Sequence, residues 1–279
     1  MKAQLTVHLR GGLGNQLFQI AAGVKICHAE ERALRIDSSQ IEKALDPSRR
    51  NFLKRIDINS FIETEGLDVL FINSNRLQRF TNSFFKSKSS LTIDDEVFMD
   101  YLLTSRSFKD TKILDLRGWF NNKFALNILK EIPVVLPLNP SISFLRIQKL
   151  LTSKPDSIIV HIRGGDFIQN GLDTLGRNYY HSAISHACEN KLYDRPIYCF
   201  TDDFPLAHNF LRGVQNVVFP ETDGELDPVE VLSVLSNAKT LISSKSTLSW
   251  WGSAISTMNG GNVISPWGKQ LHLDSWKKL

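Results

Sequence analysis

Cysteine is scarce in this chain of 279 residues: there are three, at positions 27, 188 and 199. An odd number, widely spaced and set among apolar neighbours, builds no disulfide framework, so a reducing compartment is the default expectation. Long apolar runs are missing as well. No stretch approaches the roughly 20 residues of a spanning helix, and charged Lys2, followed by alternation and then glycines, leaves no apolar core for a secretory signal. No Asn-x-Ser/Thr glycosylation acceptor occurs either. These absences lead to a cytoplasmic address. An excess of one charge is lacking too, because 33 Lys+Arg against 29 Asp+Glu give a net charge of only +4. The basic clusters, Arg49, Arg50, Lys54 and Arg55 and then Lys277 and Lys278, read as solvated faces that leave room for peripheral contact with an anionic membrane surface. Neither has the size or aromatic interleaving of a nucleic-acid surface, so no nucleic-acid partner is expected.

What is present is a chain long enough for two cores. Gln4 to Arg10 alternates and favours a strand, stops at Gly11-Gly12, and leads into a helical pattern with Leu17, Phe18, Ala21, Ala22 and Ile26 on one face. The same plan returns at Ser157, where an apolar strand ends in His161-Ile162-Arg163-Gly164-Gly165. Val7-His8-Leu9-Arg10-Gly11-Gly12 and Val160-His161-Ile162-Arg163-Gly164-Gly165 differ at one position in six. Two lobes with similar opening strands account for the echo; chance and shared turn chemistry also do.

Prolines at 133, 137 and 140 favour an extended connection, which sets the expected lobes at 1–138 and 139–279. Beyond it, strands are expected at 157–162, 197–201, 214–219 and 240–243. Helices are expected at about 179–190, from 205, at 228–237 and from 249. Strands separated by helices predict an α/β fold with parallel sheets, whose ligands bind at the carboxyl ends of the strands.

The residues suited to chemistry fall at those ends. Gly11-Gly12-Leu13-Gly14-Asn15-Gln16 lies between strand and helix, where backbone N–H groups can approach an anion; a plain tight turn is the competing reading. Neither the dinucleotide fingerprint nor the P-loop ending is met. Arg163 offers a planar fork of donors suited to a diphosphate, unless it merely pairs with Asp166. Ser246, Thr247 and Ser249 stand at a helix entrance, where they cap it or donate to phosphate and sugar oxygens. Adjacent Trp250 and Trp251 cannot share a helix face, so one is expected in the core and the other at the ligand.

Taken in order, Gly-Gly-Leu-Gly-Asn-Gln-Leu-Phe-Gln at 11–19, His161-Ile162-Arg163 with Gly165-Asp166-Phe167, Phe200-Thr201-Asp202-Asp203 and Ser246-Thr247-Leu248-Ser249-Trp250-Trp251-Gly252 resemble the motifs of the bacterial α-1,2-fucosyltransferases. Weaker matches are Gly118-Trp119-Phe120 and Tyr179-Tyr180. The resemblance spans residues 5 to about 267. It implies two Rossmann-like lobes facing across a cleft, the B-type glycosyltransferase fold, with the donor GDP-fucose on the C-terminal lobe and the acceptor on the N-terminal one. By the same resemblance His161 and Asp202 hold the base and ribose of GDP. Gly12, Gly14 and Asn15 are expected to face the donor, and Gln16 either does the same or simply buttresses the turn. The acceptor would be a galactose-terminated glycan or lipid-linked oligosaccharide, assembled at the inner face of a bacterial membrane. One departure stands out. Where the family has a second arginine, this chain has Gly164.

No metal is expected. No aspartate lies two residues from another, and the seven histidines lack zinc spacing. Asp94-Asp95-Glu96 and Asp202-Asp203 are contiguous acids whose side chains diverge. No cofactor is expected beyond the donor substrate itself. The expected reaction is a single inverting displacement, in which Arg163 stabilises the departing GDP and a carboxylate takes the hydroxyl proton. Asp166 is the first candidate for an essential carboxylate, with the orientation of Arg163 as its alternative task; Glu221, Asp223 and Glu230 are the other carboxylates near the motifs. Transfer from another GDP-deoxy sugar such as GDP-colitose, or simple binding of a GDP-sugar, are the alternatives.

Overall fold

The computed structural model describes residues 3–42, 52–72, 90–104, 106–165, 175–188, 195–221, 225–268 and 271–279. Asp166, Phe167 and Asp223 lie outside them. The chain folds as two compact units, Met1–Leu53 with Ile62–Lys130, and Lys54–Phe61 with Glu131–Leu279.

The N-terminal unit runs β1 (Gln4–His8), α1 (Leu13–Glu30), β2 (Ala33–Asp37), β3 (Val69–Ile72), β4 (Ser90–Ile93), α2 (Asp95–Leu103) and β5 (Ile113–Leu116). Its sheet has the order β3-β2-β1-β5-β4 and every pairing is parallel. Alternation along β1 buries Leu5 and Val7 completely against α1. The helix comes so close that a Cβ on Gly23 would sit 2.5 Å from Val7 Cγ2, so a glycine is what permits the contact. Asp94 caps α2 by accepting from the Val97 N–H, which gives the first of the three contiguous acids a local structural role.

The C-terminal unit runs α3 (Ile142–Ser153), β6 (Ile158–Ile162), α4 (Arg177–Ala187), β7 (Ile197–Thr201), α5 (Phe204–Phe210), β8 (Val217–Val218), α6 (Pro228–Ser236), β9 (Thr240–Ile242), α7 (Thr247–Met258), β10 (Asn262–Ser265) and β11 (Lys277–Lys278). The sheet order is β11-β10-β9-β6-β7-β8, again wholly parallel. β6 and β7 are buried at every residue, as continuous apolar strands covered on both faces must be. Except at α4, where the N-cap Gly176 makes no side-chain bond, each helix entry of this unit carries a side-chain cap, with Ser141 capping α3. Asp203 caps α5, Asp227 and Glu230 form a capping box on α6, and Ser246 caps α7. The Ser246 cap starts α7 at Thr247, two residues before the expected start.

Lys54–Phe61 joins the C-terminal unit through an antiparallel bridge between Ile56 and Pro137. Leu138 N donates to Arg55 O at 2.6 Å and Asp57 N to Leu136 O at 3.2 Å. Arg55, read from sequence as part of a solvated face, instead pairs with Asp227 at 2.9 Å and Glu230 at 3.4 Å. Among the described residues no helix is long and apolar enough to cross a membrane.

Candidate functional site

In the C-terminal unit the carboxyl ends of β6, β7 and the β9–α7 turn bring the sequence motifs together. β6 pairs with β7 on one side and β9 on the other, so His161 and Arg163 lie between Asp202 and the serine loop 243–249. Arg163 Nη1 stands 2.7 Å from Asp202 Oδ2, both side chains being partly exposed. Asp202 Oδ1 accepts from the Gly164 N–H at 2.9 Å. One carboxylate therefore fixes both the guanidinium and the backbone that follows it. Asp166, the other partner considered for Arg163, lies outside the described residues.

The glycine at position 164 has a local cause. A Cβ at Gly164 would lie 2.6 Å from Asp203 Cβ and 2.7 Å from Leu206 Cδ2. Any side chain there would force Asp203 or Leu206 to move. Gly165, with φ +36, is similarly pressed, its Cβ position lying 2.5 Å from Asp202 Oδ2.

His161 is buried, with Nδ1 3.1 Å from Ser244 Oγ, and its carbonyl accepts from the Tyr180 hydroxyl at 3.4 Å. Burial, helped by the Arg163 charge, drives its pKa down to about 3. His161 is thus a neutral hydrogen-bonding group across the physiological range. Tyr179 donates to Ser243 O at 2.9 Å, which ties α4 to the serine loop.

The hydroxyl row divides. Ser246 Oγ accepts from Ser249 N at 3.1 Å, and Ser249 Oγ accepts from Ser244 N at 3.0 Å. Both are buried and brace their own loop, so of the two expected roles they take the local, structural one and not contact with phosphate or sugar oxygens. Thr247, half-buried at the first turn of α7, has no side-chain partner among the described residues. That turn has no acidic residue, which leaves the positive end of the helix dipole uncompensated.

Trp250 requires a correction. Both tryptophans are fully buried, packed edge to face with ring centroids 5.3 Å apart. Trp250 Nε1 donates to Leu271 O at 2.8 Å and the ring also meets Trp276. The expectation of one ligand-facing ring assumed that α7 has an open face. Here one side packs on α6, with Gly252 tight against Leu235, and the 271–276 segment covers Trp250.

In the N-terminal unit the glycine loop is a compact entry to α1. Gly11 has φ +74, Gly12 is an N-cap without a side-chain bond, and Gly14 is buried. Asn15 is half-buried, and its N–H donates to Gly12 O at 3.0 Å. Gln16 is fully buried and donates from Nε2 to Gly11 O at 2.9 Å. It buttresses the turn from inside, the second of the two roles open to it, and does not face a ligand.

Sequence reasoning passed over a charged cluster beside this loop. His8 Nδ1 lies 3.2 Å from Asp37 Oδ2, and Nε2 lies 2.8 Å from Asp115 Oδ1. Arg117 Nη2 approaches the same Nε2 at 3.2 Å. Burial alone would lower the histidine's pKa, but the bonds to Asp115 and Asp37 outweigh it and the net shift is upward. Asp37 moves oppositely. Burial pushes it up, yet bonds from His8 and Ser39 hold it well below the usual carboxylate range. The available signal was His8 in the repeated six-residue segment; its acidic partners come from other strands and left no local trace.

The remaining carboxylates near the motifs separate by environment. Glu230 accepts from Ser141 N at 2.6 Å and Asp227 N at 3.1 Å besides binding Arg55, so it is tied up in structure. Glu221 is buried, and burial together with Glu225 and Glu230 raises its pKa to about 7 against one opposing bond from Leu226 N. Among the described residues no three His, Cys, Asp or Glu side chains are grouped so as to hold a metal.

No protein-family model matches the chain. It is 26% identical to the O-antigen biosynthesis glycosyltransferase WbnK of Escherichia coli, over 97% of this chain and 99% of that protein. Identity is also 26% to an α-1,2-colitosyltransferase of Escherichia coli, over 98% of this chain and 95% of that one. Among solved structures, fucosyltransferase NodZ from Bradyrhizobium superposes with a TM-score of 0.55 at 14% identity, covering 90% of this chain and 91% of NodZ. NodZ α-1,6-fucosyltransferase soaked with GDP-fucose gives 0.54 at 15% identity, over 91% and 93%. This likeness shows the fold: the chain has the B-type glycosyltransferase architecture of two α/β units with parallel sheets.

Proposed function

We propose that the chain is an inverting glycosyltransferase that moves a deoxy sugar from a GDP-linked donor to a glycan hydroxyl without a metal, and that the sugar is L-fucose delivered to the 2-hydroxyl of a terminal galactose. The observation that carries this reading is the Arg163–Asp202–Gly164 arrangement at the strand ends of the C-terminal unit. It sets a guanidinium, fixed by a carboxylate, beside a neutral histidine and the uncompensated N-terminus of α7, and these groups suit a nucleoside diphosphate. Similarity along nearly the whole chain to an O-antigen glycosyltransferase and a colitosyltransferase supports transfer of a sugar onto a surface glycan.

In the proposed mechanism the acceptor oxygen attacks the anomeric carbon as the bond to GDP breaks, and negative charge builds on the leaving diphosphate. Arg163, held by Asp202, meets that charge without reorganising; one such donor is worth on the order of 3 kcal/mol in the transition state. His161 contributes hydrogen bonding but no proton near neutrality, because its pKa is near 3. The hydroxyl proton passes to a carboxylate. With Glu230 bound into the α6 capping box, Asp166 remains the proposed acceptor of that proton. Thr247 is the proposed hydroxyl contact of the α7 entrance, and Gly12, Gly14 and Asn15 are proposed to meet the donor from the glycine loop. No cofactor is proposed, and the acceptor is proposed to be a galactose-terminated or lipid-linked oligosaccharide at the cytoplasmic face of the membrane.

A second donor has a specific observation in its favour, since one of the two relatives is named for colitose transfer. The decisive experiment incubates the protein in EDTA with GDP-fucose or GDP-colitose and a set of β-galactosides, and analyses products by mass and linkage. An α-1,2-fucosylated product is the expected result. Product from GDP-colitose alone moves the assignment to the second donor, and GDP-sugar binding without product would reduce the chain to a binding protein.

A further inference from the structure

The N-terminal unit displays a tryptophan where packing alone would have hidden it. Trp119 follows the carboxyl end of β5 and is 41% exposed. Its turn is unusual and determined from several sides. Phe120, the next residue, has φ 54, a conformation rare for a bulky side chain and stored only where neighbours impose it. The Asp95 carboxylate accepts from the N–H groups of Trp119 at 3.0 Å and Phe120 at 2.6 Å. Gln19 Nε2 donates to Gly118 O at 3.2 Å, and a Cβ on Gly118 would lie 2.6 Å from the Phe120 ring.

The glycine loop makes room for the ring. A Cβ on Gly11 would lie 2.9 Å from Trp119 Cζ3, so any larger residue there would displace the indole. Arg10, also at the carboxyl end of β1, places its guanidinium over the indole with Cζ 4.1 Å from the ring centroid. No carboxylate among the described residues pairs with Arg10, and its Nε is buried without a hydrogen-bond partner among them. A strained turn, an acid clamp and a tailored glycine together hold out an indole backed by a cation. A rigid aromatic face rimmed by hydrogen-bond donors suits a ligand with one flat C–H surface and a belt of hydroxyls, which describes a pyranose ring.

We propose that Trp119 is the sugar-stacking platform of the acceptor site, and that Arg10 donates hydrogen bonds to the hydroxyls of the same sugar. The proposal rests on the transferase reading above and deepens it by naming the groups that recognise the acceptor. The two fail separately. Loss of the transferase reading would be seen as no turnover by the unaltered protein with any GDP-sugar. The platform is read independently from intrinsic fluorescence during titration of the intact protein with lactose and N-acetyllactosamine, which needs no turnover.

Saturable fluorescence change is expected in the unaltered protein and is expected to be lost in Trp119→Ala. In rate assays Trp119→Ala should raise the acceptor KM at least tenfold, and Trp119→Phe, which keeps a ring, by about threefold, while the donor KM moves less than twofold in both. Should Trp119→Ala fail to fold, Trp119→Phe and Arg10→Gln carry the test, each with an acceptor KM raised about threefold or more. No saturable response to either saccharide in the unaltered protein, an unchanged acceptor KM in the variants, or an equal rise in the donor KM overturns the proposal.

Discussion

The two units open on nearly the same six residues and shift the pKa values of their histidines in opposite directions. His8 lies between Asp37 from β2 and Asp115 from β5, and its pKa is raised because both ring nitrogens face carboxylates, whose bonds outweigh burial. His161, one strand residue before the end of β6, faces Ser244 and the positive Arg163, and stays neutral down to about pH 3. The arginines differ in the same way. Arg163 is paired with a carboxylate, whereas Arg10 lies on an indole. A repeated strand-end sequence sets where a side chain stands, and residues delivered by neighbouring strands set what it does there.

The largest expected effect is on turnover. Replacing Arg163 with Ala should lower kcat by two orders of magnitude or more, about 3 kcal/mol of transition-state stabilisation, while the melting temperature changes little because the lost ion pair is partly exposed. Arg10→Ala should leave kcat within a few-fold at saturating acceptor. Equal losses of kcat in the two variants would erase the contrast between the units.

Next in size are the opposite pH signatures of the histidines. His161 has a folded pKa near 3 against about 6.5 unfolded, so the unfolded chain takes up a proton that the folded one refuses as pH falls below 6.5. Stability should therefore fall on the acid side, by about 2 kcal/mol at pH 5, and His161→Gln should remove that slope. His8 has a raised folded pKa. Its contribution is complete below the unfolded value and is lost as pH rises through the folded value, so His8→Gln should flatten the alkaline side of the profile instead. Thermal melts of both variants from pH 4.5 to 9 check the two signs.

The pKa shift at Glu221 is smaller than that at His161. Its folded pKa near 7 exceeds the unfolded value, so ionising it costs stability progressively from about pH 4.5 to 7 and by a constant amount above. Glu221→Gln should raise the melting temperature by several degrees at pH 8, for about 3 kcal/mol, and leave it almost unchanged at pH 4.5. A closely comparable packing test is Gly252→Ala. Its Cβ would meet Leu235 Cβ at 2.5 Å, and destabilisation of about 1–3 kcal/mol is expected in a chemical denaturation curve.

Much of the architecture was legible because its signals are local. The two glycine stops, the apolar runs of β6 and β7, and the Pro228 entry of α6 each announce an element within a few residues. The helix Ile142–Ser153 has only its Ser141 cap as a local signal, and the proline-rich stretch before it favours extended structure. β10 and β11 were missed, one of them only two residues long.

The candidate site was legible as a set of positions and less so as a set of roles. Arg163, Asp202, Gly164 and Ser244 converge because parallel strands deliver their ends to one edge. Whether a hydroxyl faces outward or braces its own loop depends on contacts across the turn, which spacing does not encode; Ser246 and Ser249 turned inward for that reason. Trp250 was misread because the segment that covers it, around Leu271 and Trp276, lies some twenty residues further along the chain. His8 was passed over because Asp37 and Asp115 reach it from separate strands.

On the proposed function, the Arg163 guanidinium receives the diphosphate of a guanosine nucleotide with no cation between them. Calorimetric titration of GDP into the unaltered protein and into Arg163→Ala, both in EDTA, tests it directly. Saturable binding that weakens at least tenfold in the variant is the result the account predicts. Equal affinity in the two proteins, or binding that appears only when magnesium or manganese is restored, would contradict it.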